Sequence, residues 1–455
     1  MAAPIAVGDV VIRPPRRNVE LLLIVMAQSF GLAGFALSHL AIYGDLPPNL
    51  GVVSAIWFGM GLVTHLVVRF RIRYADPLLL PISLLLNGLG LAMIYRIDQI
   101  PDPVKTDAHT QLIYTAVGLA LFVTVVIALR DHRRLQLFPY LMFIAGLVLL
   151  LLPLVPGLGF ASGGAQIWIR FAGFSFQPAE VAKILLAIAF AGYFYEKRDL
   201  LAVGGKRILG LEMPRARDLG PIAVMWLTAL AVMVFQNDLG TALLFFGLFT
   251  VMIYIATERP AWPILAGIAF AAAGVLAFVA TAHVERRVNA WLDPFSDYDA
   301  NFQIISAQFG YAWGGLFGRG WGLGRPGLTP LPKSDFIAAS LAEELGIVGF
   351  MAIVLLYALL VARGLKTALI TPDGFGKLLA GGLAFVFALQ VFAIIGGITR
   401  LLPLTGLTTP FMSQGGSSLI ANWMIIGILM VISHRARMPQ AATAPPVTQE
   451  PVVGA

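Results

Sequence analysis

The chain has 455 residues, 58% of them hydrophobic and only 12% charged, with a formal net charge of +7 and a mean hydropathy of +0.84. Soluble domains carry about 25% charged residues, so this composition excludes a soluble globular protein and points to an all-α polytopic membrane protein. The lack of cysteine excludes disulfide and thiolate chemistry, and the basic residues cluster between apolar runs, which excludes nucleic acid as the reason for the positive charge.

Arg13, Arg16 and Arg17 precede the first apolar run, and no small-residue cleavage site follows. That run is therefore read as a retained helix rather than a cleaved signal. A transmembrane helix needs roughly 17–25 mostly apolar residues. The sequence predicts about twelve, at 20–43, 50–68, 77–95, 111–129, 137–155, 178–195, 219–235, 239–256, 262–282, 341–362, 376–398 and 415–433. Basic residues recur at Arg69/Arg71/Arg73, Arg130/Arg133/Arg134, Lys197 to Arg217, Arg259, Arg363/Lys366 and Arg435/Arg437. With twelve spans all of these fall on one side, which the bias of Lys and Arg makes the cytoplasm, together with both termini. Residues 1–18 and 435–455 are then cytoplasmic tails, the second Ala-, Pro- and Thr-rich and expected to be disordered. Residues 19–434 form the membrane domain. Its largest outward segment is 283–340, between the ninth and tenth helices.

The outward segments carry the unusual chemistry. Residues 161–177 place a single Arg170 among apolar and aromatic residues, as in a re-entrant or interfacial segment. Pro178 suits the first turn of the next helix, where Glu180 and Lys183 lie three apart and can share a face as a local ion pair. Asp238 falls between two apolar runs. It reads either as a helix cap or as a functional acid at membrane depth. Asp293, Asp297 and Asp299 read as solvated turn residues. The glycines of 314–324 can cradle a phosphate through backbone N–H groups, although no Lys-Ser/Thr completes a nucleotide P-loop. Asp335 stands beside Lys333 and just before a helix-like apolar run. It reads either as a partly desolvated general base or, with Ser334, as a helix cap. Of Glu343 and Glu344, at the start of the next span, one is expected to face the bundle interior.

The order of these elements resembles the SEDS family (shape, elongation, division and sporulation), which includes RodA, FtsW and SpoVE, and most closely the RodA-type members of actinobacteria. The resemblance covers about residues 77–434, the family's ten-helix core, and leaves two additional helices at the N-terminus. It rests on Gly164-Ala165-Gln-Ile-Trp168-Ile169, Gln177-Pro178-Ala-Glu180-Val-Ala-Lys183, Gln236-Asn-Asp238-Leu-Gly240-Thr241, Arg287 with Leu292-Asp293-Pro294, Phe302-Gln303, Gly314-Gly315-Leu-Phe-Gly318, Ser334-Asp335-Phe336-Ile337, Ala342-Glu343-Glu344-Leu345-Gly346, Pro403-Leu-Thr-Gly406 and Pro410 to Ser418. Asn237, Gln414, Leu331 and Lys333 depart from the family's usual Pro, Tyr, Glu and His.

The resemblance implies a peptidoglycan glycosyltransferase that polymerises lipid II on the outer face of the bacterial cytoplasmic membrane, for elongation and cell shape. It maps the family's essential acid onto Asp335, as the base that takes the proton of the acceptor 4-hydroxyl. The departing undecaprenyl diphosphate calls for cations, for which Arg170, Lys183, Arg287, Arg319 and Lys333 are candidates and Lys183 and Arg287 are preferred. Glu343, Glu344, Asp238, Gln303 and Ser417 are the remaining substrate-binding candidates. A divalent cation such as Mg²⁺ or Mn²⁺ would assist the diphosphate, but no ligand set stands out in the sequence. No Ser-x-x-Lys transpeptidase domain is present, so crosslinking falls to a partner, by resemblance a class B penicillin-binding protein. Membrane lipid and other membrane proteins of the elongation complex are further expected partners. The alternatives are a lipid II flippase or a non-catalytic scaffold of that complex.

Overall fold

The computed structural model describes residues 5–7, 10–12, 15–100, 107–162, 164–171, 174–198, 200, 207–208, 211–212 and 216–439. Arg13, Lys206, Arg215 and the tail from residue 440 lie outside these residues. The apolar runs form α1 (Arg17–Tyr43), α2 (Leu50–Arg71), α3 (Leu79–Asp98), α4 (Asp107–Ala128), α5 (Pro139–Leu151), α6 (Pro178–Glu196), α7 (Ala216–Phe235), α8 (Leu239–Thr257) and α9 (Ala261–Ala280). Two helices follow in the predicted outward segment, α10 (Ala282–Leu292) and α11 (Phe302–Gly314). The last three are α12 (Ile337–Ile370), α13 (Gly374–Ile398) and α14 (Gly416–Arg437).

Among the described residues, ten helices are long and apolar enough to cross a membrane. The segments predicted at 137–155 and 219–235 appear as shorter apolar helices, Pro139–Leu154 and Ala223–Phe235. By length and composition the expected twelve spans therefore stand at ten. Helices α3, α6, α13 and α14 form the inside of the bundle, whereas α9 fully buries only Ala261. Helix α1 lies along α3, where Gly31 faces Gly88 with almost no space between the backbones.

The all-α expectation needs one correction. Residues read as a re-entrant segment fold into an antiparallel meander of β3 (Gly159–Ser162), β4 (Ala165–Phe171) and β5 (Phe174–Phe176). Trp168 pairs with Phe160, and Arg170 pairs with Ser175. Ile167, Trp168 and Ile169 favour a pleated, half-buried surface, which a short apolar stretch does not reveal by hydropathy alone. Two short hairpins, Ile5–Val7 with Val10–Ile12 and Arg207–Ile208 with Leu211–Glu212, complete the strands among the described residues.

Helix α12 is broken at Gly346, whose φ of 69° lies in the left-handed region. The glycine-rich run enters this break. Gly315 and Leu316 accept from the amides of Ile347 (3.0 Å) and Val348 (3.1 Å). On the other side Arg319 and Gly320 donate to the carbonyls of Glu343 (3.1 Å) and Glu344 (3.0 Å). The loop thus satisfies the helix groups that the break frees, as a buried interruption requires. A Cβ at Gly346 would overlap the amide of Gly318, and one at Gly318 would overlap the carbonyl of Glu344.

Candidate active site

Asp335 sits in the turn that leads into α12. Hydrogen bonds from the segment before α14 to the backbone of this turn hold it in place. The Ser413 hydroxyl donates to the Ser334 carbonyl (2.6 Å), and the Gln414 amide donates to the Lys333 carbonyl (2.8 Å). Gln111 on α4 fixes that segment in turn, donating to Ser413 O (3.0 Å) and accepting from Gly415 N (3.3 Å). The cap position of α12 is Phe336, and no side chain caps the helix there. The capping role open to Ser334 and Asp335 is therefore not the one the fold uses. Asp335 is partly buried. Burial pushes its pKa above the ordinary carboxylate range, against the Ser334 hydrogen bond and the positive charge of Arg287.

A chain of polar and charged side chains continues from Asp335. Arg287, on α10, donates to the carbonyls of Leu404 (3.2 Å) and Thr405 (3.3 Å). Burial lowers its pKa, and the charges of Asp238 and Asp335 act in the opposite direction. Asp238 caps α8, with Oδ1 accepting from Thr241 N (2.9 Å), while Oδ2 is buried without a hydrogen bond. Burial raises the pKa of this carboxyl too. The cap reading of Asp238 thus holds for one oxygen, and the charges of Glu180 and Arg287 act on the same carboxyl. At the start of α6, Glu180 pairs with Lys183 at 2.5 Å. Lys183 also donates to Gln390 of α13 (3.3 Å), and Gln390 donates to Thr408 O (2.8 Å). The hydroxyl of Thr408 bonds that of Ser418 (3.0 Å), beside Ser417, which accepts from Gln177 N (2.9 Å).

Other residues singled out from the sequence lie apart from this chain. Lys333 is ion-paired with Asp98 at the end of α3 and with Asp107 at the start of α4 (2.7 Å to the latter). Burial opposes its charge, but the two carboxylates outweigh it and raise its pKa. Glu344 accepts from Arg96 (3.1 Å) and from Gly322 N (2.8 Å), and Arg96 also donates to Gly324 O (2.9 Å). Glu343 accepts from Arg325 N (2.6 Å). The amides of Arg319, Gly320 and Gly322 are thereby engaged by the α12 break, so the glycine run does not present them as a phosphate cradle. Arg170 is exposed and lies over the Phe160 ring, 4.5 Å from its centroid. Arg319 stacks on Trp313 at 3.9 Å. Gln303 is exposed on α11.

Sequence reasoning did not single out Gln390, Arg96, Asp98 or Asp107, whose only sequence signal is a polar group inside or at the end of an apolar run. Trp321 was missed as well. Its indole donates to the Ser38 hydroxyl of α1 and packs against Gly34. Among the described residues no three His, Asp or Glu side chains converge as a metal-binding group.

Residues 77–438 match the pattern of the FtsW, RodA and SpoVE family, described as cell cycle protein. The chain belongs to this family. The family's match begins just before α3, so α1 and α2 lie outside it. Peptidoglycan glycosyltransferase RodA of Mycobacterium tuberculosis is 45% identical over 448 residues, 96% of this chain and 94% of that protein. Stage V sporulation protein E of Bacillus subtilis is 34% identical over 372 residues, 80% of this chain and 98% of that one. Among solved structures, a chain of a peptidoglycan synthase complex, described as coordinating polymerization and crosslinking, superposes with a TM-score of 0.65 at 26% identity. That likeness covers 80% of this chain and 99% of the other. The rod shape determining protein RodA of Thermus thermophilus gives 0.55 at 28% identity, covering 80% and 97%.

Proposed function

We propose that this multi-pass membrane protein is a peptidoglycan glycosyltransferase that polymerises lipid II, with Asp335 as its general base. The observation that carries the reading is the Asp335 carboxyl itself. It is partly buried, free of any capping duty, raised in pKa by burial and opposed by Arg287. A base must accept a proton at working pH while staying close to it in affinity, and a raised carboxyl does both. The 4-hydroxyl of the acceptor sugar loses its proton to Asp335 as its oxygen attacks the anomeric carbon of the donor. The bond from that carbon to the diphosphate oxygen breaks, and the diphosphate leaves with the bonding pair. Arg287 and Lys183 stabilise the charge that develops there, and Asp238, Glu180 and Gln390 hold these cations in position. Lys333, Glu343 and Glu344 support the site through the ion pairs and hydrogen bonds they already make. Gln303, Ser417 and Arg170 are secondary candidates for substrate contact.

In this reading all twelve apolar helices lie in the bilayer, α5 and α7 included, with both termini cytoplasmic and residues 283–340 outside. The crosslinking partner is a class B penicillin-binding protein. Support for it comes from the synthase-complex neighbour and from the missing transpeptidase motif. The test compares wild type with Asp335→Asn on purified lipid II in detergent, where no membrane sides exist. The expected result is glycan strands from the wild type and a loss of about 10²–10⁴-fold in the variant. Strand formation at the wild-type rate by the variant would remove Asp335 from the mechanism. No polymer from either form, alone or with the partner, would favour a flippase or a scaffold.

A further inference from the structure

A cavity of about 200 Å³ lies between α1, α2, α3 and α4, at the end of the bundle that carries Asp335. Its floor is the close contact of Gly31 with Gly88, where a Cβ at Gly31 would stand 2.8 Å from the Gly88 Cα. Phe35, Trp57, Leu91 and Ala92 give it apolar walls. Below it, the Trp57 indole donates to the Gln28 carbonyl (3.2 Å), which pins α2 to α1. Toward the helix ends the lining turns polar. The Tyr95 hydroxyl is 2.7 Å from His39 Nδ1, and the other nitrogen of His39 faces Asp45 at 3.5 Å. Across the mouth, Ala108 N donates to Asp98 (2.8 Å), next to Asp107.

We propose that α1 and α2 complete a groove for one acyl chain of an amine-headed phospholipid, in the leaflet on the Asp335 side. The size selects a single chain. An α-helix with its side chains is about 10–12 Å across, too thick for this space, whereas an apolar cavity of about 150 Å³ already takes a benzene-sized guest. An apolar space among helices in a bilayer is filled by hydrocarbon rather than water, because its walls offer water few partners. Charge selects the head group. Besides the lining imidazole of His109, the charged groups next to the mouth among the described residues are Asp45, which faces His39, and Asp98 and Asp107, which share the single cation Lys333, so carboxylates outnumber the cation there. An ammonium complements these carboxylates, whereas a polyprenyl diphosphate would meet them with like charge. Two of the four helices that build the groove precede the stretch shared by the family, so the groove belongs to chains that carry this N-terminal pair. The inference rests on the helices spanning a bilayer and is independent of the glycosyltransferase reading.

The test uses the full chain in nanodiscs and three lipid probes carrying a diazirine in the hydrocarbon. These are a phosphatidylethanolamine, a phosphatidylglycerol and a polyprenyl diphosphate. After irradiation, labelled peptides are mapped by mass spectrometry. The phosphatidylethanolamine probe should label residues 31–35 and 88–95 severalfold more than it labels the lipid-exposed α9. It should also exceed the other two probes there. Ala92→Phe, which fills the groove, and Val53→Trp, which narrows it from α2, should each remove this labelling and leave that of α9. Both variants are checked by melting temperature, and Val53 is partly exposed, so its variant keeps the test open if Ala92→Phe fails to fold. Labelling no stronger than on α9, labelling unchanged by Val53→Trp, or stronger labelling by phosphatidylglycerol or polyprenyl diphosphate would each overturn the proposal.

Discussion

At the scale of single residues, the Asp335 carboxyl, as the base of the proposed mechanism, would tie catalysis to stability. Its folded pKa lies above that of an unfolded aspartate, because burial outweighs Ser334 and Arg287. The folded chain therefore binds more protons at this site than the unfolded chain. The site's contribution to stability is complete below the ordinary carboxylate range and is lost as pH rises through the raised value. Asp335→Asn removes that loss. The variant should melt no lower than the wild type at neutral pH, and its relative advantage should vanish in acid. A lower melting temperature at neutral pH would instead make Asp335 a holder of Arg287. Catalysis runs the other way. The wild-type kcat/KM should rise with pH through the raised pKa as the base ionises, and Asp335→Asn should lack that limb. The position of this acid was legible in the sequence, because Ser334-Asp335-Phe336 precedes an apolar run. The role of Lys333 was not legible, because its partners Asp98 and Asp107 are 235 and 226 residues away along the chain. Proximity in sequence made Lys333 look like part of the Asp335 site.

At the scale of elements, the break in α12 governs how the loop is held. Replacing Gly346 by Ala forces a side chain into the left-handed region and against the Gly318 amide. Backbone strain of this kind costs about 1–3 kcal/mol before any clash is counted. The variant should show a lower melting temperature in detergent and reduced polymerisation, and a wild-type melting curve would mean that the loop does not occupy the break. The Arg96–Glu344 pair joins α3 to the same break. Both residues are buried, at 7% and 1% exposure, so removing one charge leaves the other without its partner. Glu344→Gln should destabilise by about 3–5 kcal/mol, and adding Arg96→Met should recover part of that loss. A double variant less stable than Glu344→Gln alone would show that the ion pair is not the source of the effect. Hydropathy was enough to place the ten long apolar helices, because each of those runs is little interrupted, whereas it read the shorter Pro139–Leu154 and Ala223–Phe235 as full spans. The β3–β5 meander was hidden for the converse reason: a few aromatic and branched residues between helices satisfy an interfacial helix and a short sheet equally well. Inside the predicted outward segment, α10 was hidden by its mixed polarity and α11, although largely apolar, by its length of 13 residues.

At the scale of the whole molecule, the charges separate along α3. Just before its first residue, Asp76 accepts from Arg363 (2.8 Å) and Arg437 (2.7 Å), and its last residue, Asp98, meets Lys333 beside Asp335. A helix of 20 residues spans about 30 Å, the thickness of a bilayer's hydrocarbon core, so the proposed topology puts the basic end and the Asp335 end on opposite membrane faces. Single cysteines on this cysteine-free chain test the orientation. A cysteine at Asp299 should react with an impermeant maleimide in intact cells, and one at Lys366 only after permeabilisation. The reverse pattern would invert the molecule and disconnect Asp335 from an extracytoplasmic substrate.

The hydrogen bonds across the α12 break also count residues. Gly315 and Leu316 are fixed to Ile347 and Val348 on one side, and Arg319 and Gly320 are fixed to Glu343 and Glu344 on the other. The stretch from Gly315 to Gly320 is thus anchored at both ends to neighbouring turns of one helix, like a pin cut to a given length. A single deletion or insertion inside it cannot slide along, because either set of bonds would have to shift by a full residue and leave buried amides open. Changes of length in this half of the chain should therefore collect elsewhere, in the exposed turn around Asp297 and Asp299, while the pin keeps its length however far the surrounding side chains diverge.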